Sequence, residues 1–304
     1  MARRVRRKKG NPKAAIPTYR EEGVKAARPD TRPALIALFL VILLIGSALY
    51  FTSMVEDAPV VEYGVEANLL TNNHNTEPGY DTDFVLIVEN TGSITDTFDI
   101  GVKSNDGGFV ITIEEGYESI IVAKNKMKPI IINVKTSTSS TGLLYANLSV
   151  RSQGDISQKT DIRLNVTTDY EFGREKPGEG PPNHVSEGDI ISVHYAGILA
   201  RNANLFDSSM EDVWDNYEYR KDGVLDSNKH TDTLGACLKS SAECQDIDGY
   251  SPMITGFTEK TKTMYEGQTL SVRIPAKDAY GIDPSVSDLG GEDLIFEIVI
   301  VSID

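Results

Sequence analysis

From about residue 59 to residue 170 the apolar residues come in short runs broken by turn signals, and no helical period is sustained. The runs are 84–88 (FVLIV), 97–102, 110–113, 120–122, 130–134, 143–150 and 161–166. Breaks fall at Pro78-Gly79, Asn90-Thr91-Gly92, Gly107-Gly108 and Gly116. The many β-branched side chains are stiff and suit a pleated surface better than a helix. About seven strands at this spacing predict an all-β antiparallel sandwich over 59–170.

Charge divides the chain in another way. Residues 33–55, PALIALFLVILLIGSALYFTSMV, carry no charge. At about 1.5 Å per residue they would span roughly 34 Å as a helix, enough for a ~30 Å hydrocarbon core. Residues 1–32 are basic and include RRVRRKK, yet the whole chain has a formal net charge of -15. The Lys/Arg bias predicts a single-pass transmembrane helix over 33–55, a cytoplasmic tail over 1–32 and an extracytoplasmic remainder. A cleaved signal peptide fits less well, because its apolar core is only about 7–15 residues and Ser47 and Leu49 make a poor cleavage site. The bilayer is thus the partner expected of residues 33–55. The acidic remainder would repel nucleic acid, and no nucleic-acid partner is expected.

Residues 171–183 contain GREKPGEGPPN, without an aliphatic or aromatic side chain, and read as a linker. Beyond it the period is mixed. Residues 189–199 (DIISVHYAGIL), 270–275 and 294–301 alternate as strands. Met253, Phe257, Thr261 and Met264 recur at near-helical spacing, and Gly267 suits the left-handed position after a helix. One short helix among several strands predicts an α+β region over 184–304. The expected fold class is therefore multidomain: a transmembrane helix, an all-β sandwich and an α+β domain.

Two resemblances sharpen these expectations. The stretch PGYDTDFVLIVENTGSITDTFDI (78–100) resembles immunoglobulin-like modules of archaeal and bacterial surface proteins. Further on, Gly188-Asp189 with VHYAG (193–197), LFDSS (205–209), MITGF (253–257), MYEGQ (264–268), IPAKDAYG (274–281) and LIFEIVIVSID (294–304) resemble successive blocks of the FKBP-type peptidyl-prolyl isomerase family. The blocks keep the family's order. The resemblance implies an antiparallel sheet wrapped around one short helix, with an aromatic pocket for a proline ring. It implies catalytic roles for Tyr195, Phe206, Asp207, Phe257, Tyr280 and Phe296, and substrate contacts from Met253 and Ile254. Phe257 stands where the family usually has tryptophan.

The expected activity is cis–trans isomerisation of X-Pro bonds in unfolded or extended proline-containing polypeptides. The alternative keeps the pocket but makes it a peptide-binding chaperone or adaptor with little turnover. Isomerisation crosses an amide-resonance barrier of about 18–20 kcal/mol without making or breaking a covalent bond. No nucleophile, metal or cofactor is therefore expected. Hydrolase signatures such as G-x-S-x-G and H-E-x-x-H are absent from the sequence.

The chain departs from the family pattern in two places. An insertion, 210–252, separates LFDSS from the helix and contains Trp214, Tyr217 and Tyr219. After Tyr280 the segment GIDPSVSDLGGED is polar where the family often has apolar capping residues, leaving Ile282 as a substrate contact and Val286 as a partial substitute. Within the insertion, Cys237 and Cys244 are candidates for a disulfide, and the equal spacing from His230 raises a metal site that lacks a fourth ligand. Asn147 and Asn165 head glycosylation sequons and equally fit as plain strand residues.

Overall fold

The computed structural model describes residues 37–45, 47, 60–169, 183–224, 232–239, 241–244 and 249–304. They divide into two units between Val60 and Val61. In the first, residues 37–45 are helical, which at about 1.5 Å per residue covers less than half of a hydrocarbon core. Among the described residues no helix is long and apolar enough to cross a membrane. The transmembrane helix and the single-pass localisation built on it are corrected on that ground. The expected tail, 1–32, and the rest of 33–55 apart from Ser47 lie outside the described residues.

The expected fold class is corrected as a whole: among the described residues strands account for 47% and helix for 12%, arranged in several sheets. The near-helical spacing at 253–264 yields only a seven-residue helix, Thr255–Thr261. The insertion adds two shorter ones. The second unit is therefore predominantly β.

Its first part has nine strands: β1 (Val65–Leu69), β2 (Asn73–Thr76), β3 (Asp81–Asn90), β4 (Asp96–Asn105), β5 (Phe109–Ile113), β6 (Ser119–Val122), β7 (Met127–Thr136), β8 (Gly142–Ser152) and β9 (Lys159–Thr168). One sheet runs β1-β3-β7-β5 and the other β2-β9-β8-β4-β6, with β2 parallel to β9. Alternate residues of each sheet, including Phe84, Leu86, Ile130 and Ile132 on one side and Phe98, Leu148 and Leu164 on the other, close a shared core.

The second part has β10 (Ile190–Leu199), β11 (Leu205–Ser208), α1 (Glu211–Asn216), β12 (Leu234–Cys237), α2 (Ser241–Cys244), β13 (Ser251–Pro252), α3 (Thr255–Thr261), β14 (Thr269–Ile274) and β15 (Leu294–Ile303). Its sheet is ordered β13-β12-β10-β15-β14, with β11 paired to β10. One face packs with Phe257 of α3 into a core that includes Tyr195, Ile274, Phe296 and Ile298.

The other face packs against the sandwich. Strand β3 is buried on both sides from Thr82 to Val88. Phe84, Leu86 and Val88 enter the sandwich core. Val85 and Ile87 join Ala196 and Ile198 of β10, Leu205 of β11, Trp214 of α1 and Ile295 of β15. Polar groups cross the same seam. The Thr82 hydroxyl donates to the Thr269 carbonyl at 2.8 Å, the Gln268 side-chain amide donates to the Asp81 carbonyl at 2.7 Å, and the Ser271 amide donates to Asp83 Oδ2 at 3.1 Å. Arg273 reaches both Glu114 carboxylate oxygens at 2.8 and 2.9 Å. The expected linker falls on residues outside the description save Asn183.

Candidate functional site

The site is built where β11 pairs antiparallel with the end of β10. The two serines of the LFDSS block grip the backbone of Tyr195. The Ser208 hydroxyl donates to the Tyr195 carbonyl at 3.0 Å, and the Tyr195 amide donates to Ser209 Oγ at 2.9 Å. The Tyr195 hydroxyl in turn donates to Asp207 Oδ2 at 2.7 Å. Burial, and after it the Asp207 carboxylate, push the Tyr195 phenol far above its ordinary pKa, so it remains a protonated donor.

Phe296 on β15 is the hub of the aromatic wall. Phe206 and Phe257 each meet it edge-on, at centroid distances of 5.5 and 5.6 Å, and Tyr195 lies tilted at 6.2 Å. Edge-to-face contacts of this length suit the ring quadrupoles. Gly197 makes the arrangement possible: a Cβ there would lie 2.5 Å from Phe206 Cζ and 3.0 Å from Phe296 Cε1. The β10 register also shifts between Gly197 and Ile198, turning the strand at this point.

Met253 and Ile254 precede α3, with extended backbone at Ile254. Tyr280 follows a single 3-10 turn, Ala276–Asp278, whose Ala276 amide donates to Asp293 Oδ1 at 2.8 Å. Gly281 then takes a φ of 86°, a left-handed value that glycine adopts without strain. Burial, then Asp207, also raise the pKa of Tyr280.

These side chains surround one cavity of about 530 Å³, within the usual range of ligand pockets. Tyr195, Phe206, Asp207, Met253, Ile254, Phe257, Tyr280 and Phe296 all line it. Ile282 does not: it is 76% exposed, as is Val286 at 78%, because the polar loop after Tyr280 turns outward. Sequence reasoning assigned no wall to Ser209, Asp232, Thr233, Leu234 or Pro252, which also line the cavity. For Leu234 the available signal is the short run Thr233-Leu234-Gly235, which reads as the remnant of a strand before the helix; Pro252 has none.

Away from the cavity, Cys237 and Cys244 form a disulfide joining β12 to α2. His230 lies outside the described residues, and among those described no group of His, Cys, Asp and Glu could hold a metal. Asn147 and Asn165 are half-buried on β8 and β9, where their amides donate to Ser104 Oγ and Asn73 Oδ1 at 2.9 Å each. Trp214 is 1% exposed, so this part of the insertion packs against the body.

No protein-family model and no curated protein matches the chain. Among solved structures, a FixG-related protein from Vibrio parahaemolyticus aligns at 6% identity over 36% of this chain and 97% of its own, with a TM-score of 0.28. Part of alpha-2-macroglobulin from Escherichia coli aligns at 11% identity over 45% of this chain and 24% of its own, with a TM-score of 0.31. A PapD-like domain of human CEP192 aligns at 14% identity over 36% and 85%, with a TM-score of 0.27. Likenesses this weak assign no function.

Proposed function

We propose that the chain is a peptidyl-prolyl cis–trans isomerase of the FKBP type, acting on proline-containing polypeptides. The observation that carries the reading is the convergence of Tyr195, Phe206, Phe257 and Phe296 on one cavity with Asp207 and Tyr280 at its border. A planar X-Pro amide is held by resonance and by water bonded to its charge-separated form. Apolar walls remove that water and so favour the twisted amide, in which resonance is lost. The proline ring is held by the aromatic floor while the preceding carbonyl rotates. The Tyr280 hydroxyl and the Ile254 amide donate to substrate carbonyls, and Asp207 orients Tyr195.

A protease-coupled assay of an X-Pro tetrapeptide with the full chain tests this. Acceleration is expected, and Tyr280→Phe should lower kcat/KM roughly fivefold, the worth of one hydrogen bond of about 1 kcal/mol. Absence of acceleration by the wild type would overturn the catalytic reading. A second reading, peptide holding with little turnover, is favoured by the outward turn of Ile282 and Val286, which leaves the cavity uncapped on that side. It expects saturable peptide binding without acceleration.

A further inference from the structure

The ridge formed by Phe206, Asp207 and Tyr280 borders a second hollow of about 270 Å³ on its other side. The wall opposite the ridge comes from residues 221–224 of the insertion and from Asp288 and Leu289 in the loop after Tyr280. The hollow as a whole is chemically two-sided. Phe206, Val224 and Leu289 offer apolar contact, whereas Asp222 and Asp288 offer carboxylates.

Charge along the combined groove is uneven. Asp232 borders the first hollow, Asp222 and Asp288 the second and Asp207 both, against the single ammonium of Lys221 among the described lining residues. Asp222, Asp232 and Asp288 are exposed, and among the described residues none is paired with a basic side chain. Some surface carboxylates elsewhere do have such partners, among them Asp161 with Lys103, Asp81 with Lys135 and Glu292 with Arg201. A cleft lined by one sign of charge concentrates the opposite sign. Lysine and arginine lay an apolar stem on apolar surface and carry the charge at its end, which matches this wall. The rings of Phe206 and Tyr280 add cation–π attraction.

We propose that the second hollow is a specificity subsite taking a lysine or arginine side chain of the substrate, close to the proline held in the first. The inference rests on the prolyl-peptide reading of the aromatic cavity, and its test separates the two. Three peptides are compared with the full chain, identical except for Lys, Ala or Glu beside the X-Pro pair, each position flanking the pair being tried. Both kcat/KM and Kd, by fluorescence polarisation, are measured at low and high salt. On one side of the pair the Lys peptide should exceed the Glu peptide about threefold or more, as expected for exposed charge pairs. That ratio should fall towards one as salt screens the charges.

The double variant Asp222→Asn/Asp288→Asn should lower the ratio at low salt, and a melting curve confirms its folding. Should it not fold, the salt series on the wild type still decides. Equal values for Lys and Glu peptides at low salt, with the Ala peptide turned over, overturn the subsite and leave the isomerase reading intact. A Lys preference in Kd without acceleration of any peptide supports the subsite while overturning catalysis. Failure of all peptides to bind overturns both.

Discussion

Single atoms decide the shape of the cavity. Gly197 is the clearest case, because two rings occupy the space a methyl group would need. Gly197→Ala should displace Phe206, lower kcat/KM about tenfold and cost roughly 1–3 kcal/mol of stability through overpacking. Kinetics together with a thermal melt check this, and unchanged activity would show that the Phe206 ring does not shape the working pocket. Phe206 and Tyr195 were readable as pocket residues because both sit in blocks with a distinctive order. Pro252 was not, since a lone proline in a polar insertion signals only a turn. Ile282 misled for a related reason. An isolated apolar residue in the segment 281–293 says nothing about which way the loop turns, and here it turns to solvent.

Between elements, the seam of β3 and β14 depends on buried polar groups as much as on apolar ones. Tyr265, fully buried just before β14, places its hydroxyl 2.7 Å from Thr76 Oγ1 and accepts from the Glu77 amide at 2.8 Å. Burial pushes its pKa up to about 12. The folded chain therefore holds this proton more tightly than the unfolded one. Its contribution is intact below the ordinary phenol value of about 10 and declines as pH rises from there towards about 12. Tyr265→Phe should cost about 1–3 kcal/mol at neutral pH by leaving buried partners unmet. It should also flatten the alkaline loss of stability, by roughly 3 kcal/mol at most. Urea midpoints of both proteins at pH 8 and pH 11 test this, and parallel declines would refute the assignment. Seven of the nine sandwich strands, β3 to β9, were evident from the short apolar runs, whereas β1 and β2 were not. The run FVLIV was informative in a further way: five successive apolar residues suit a strand covered on both faces, although the sequence did not say what covers the second.

At the level of the molecule, the described residues of 61–304 form one compact unit. The single tryptophan, Trp214, is buried in the core shared by β3 and the outer face of β10 and β15. It therefore reports the seam directly. Urea unfolding followed by Trp214 fluorescence should coincide with unfolding followed by far-ultraviolet circular dichroism, as one cooperative transition. A tryptophan change at clearly lower urea would mean that the two parts separate before either unfolds. A fragment beginning at residue 184 should be much less stable than the whole, since Ile198, Leu205 and Ile295 would lose their cover.

Local patterning was enough to mark most strands, several turns, the short helix and the aromatic blocks, because alternation, glycine conformation and residue order act over a few positions. The same patterning misjudged residues 33–55, where an uncharged run satisfies the composition of a membrane span while the described helix covers only residues 37–45. Three-dimensional packing settled the rest. The side chains of Tyr195, Phe257 and Phe296, far apart along the chain, meet because sheet register and the opening at Gly197 bring them together. Likewise, the sandwich and the six-stranded sheet share a core because each leaves an apolar face whose burial requires the other.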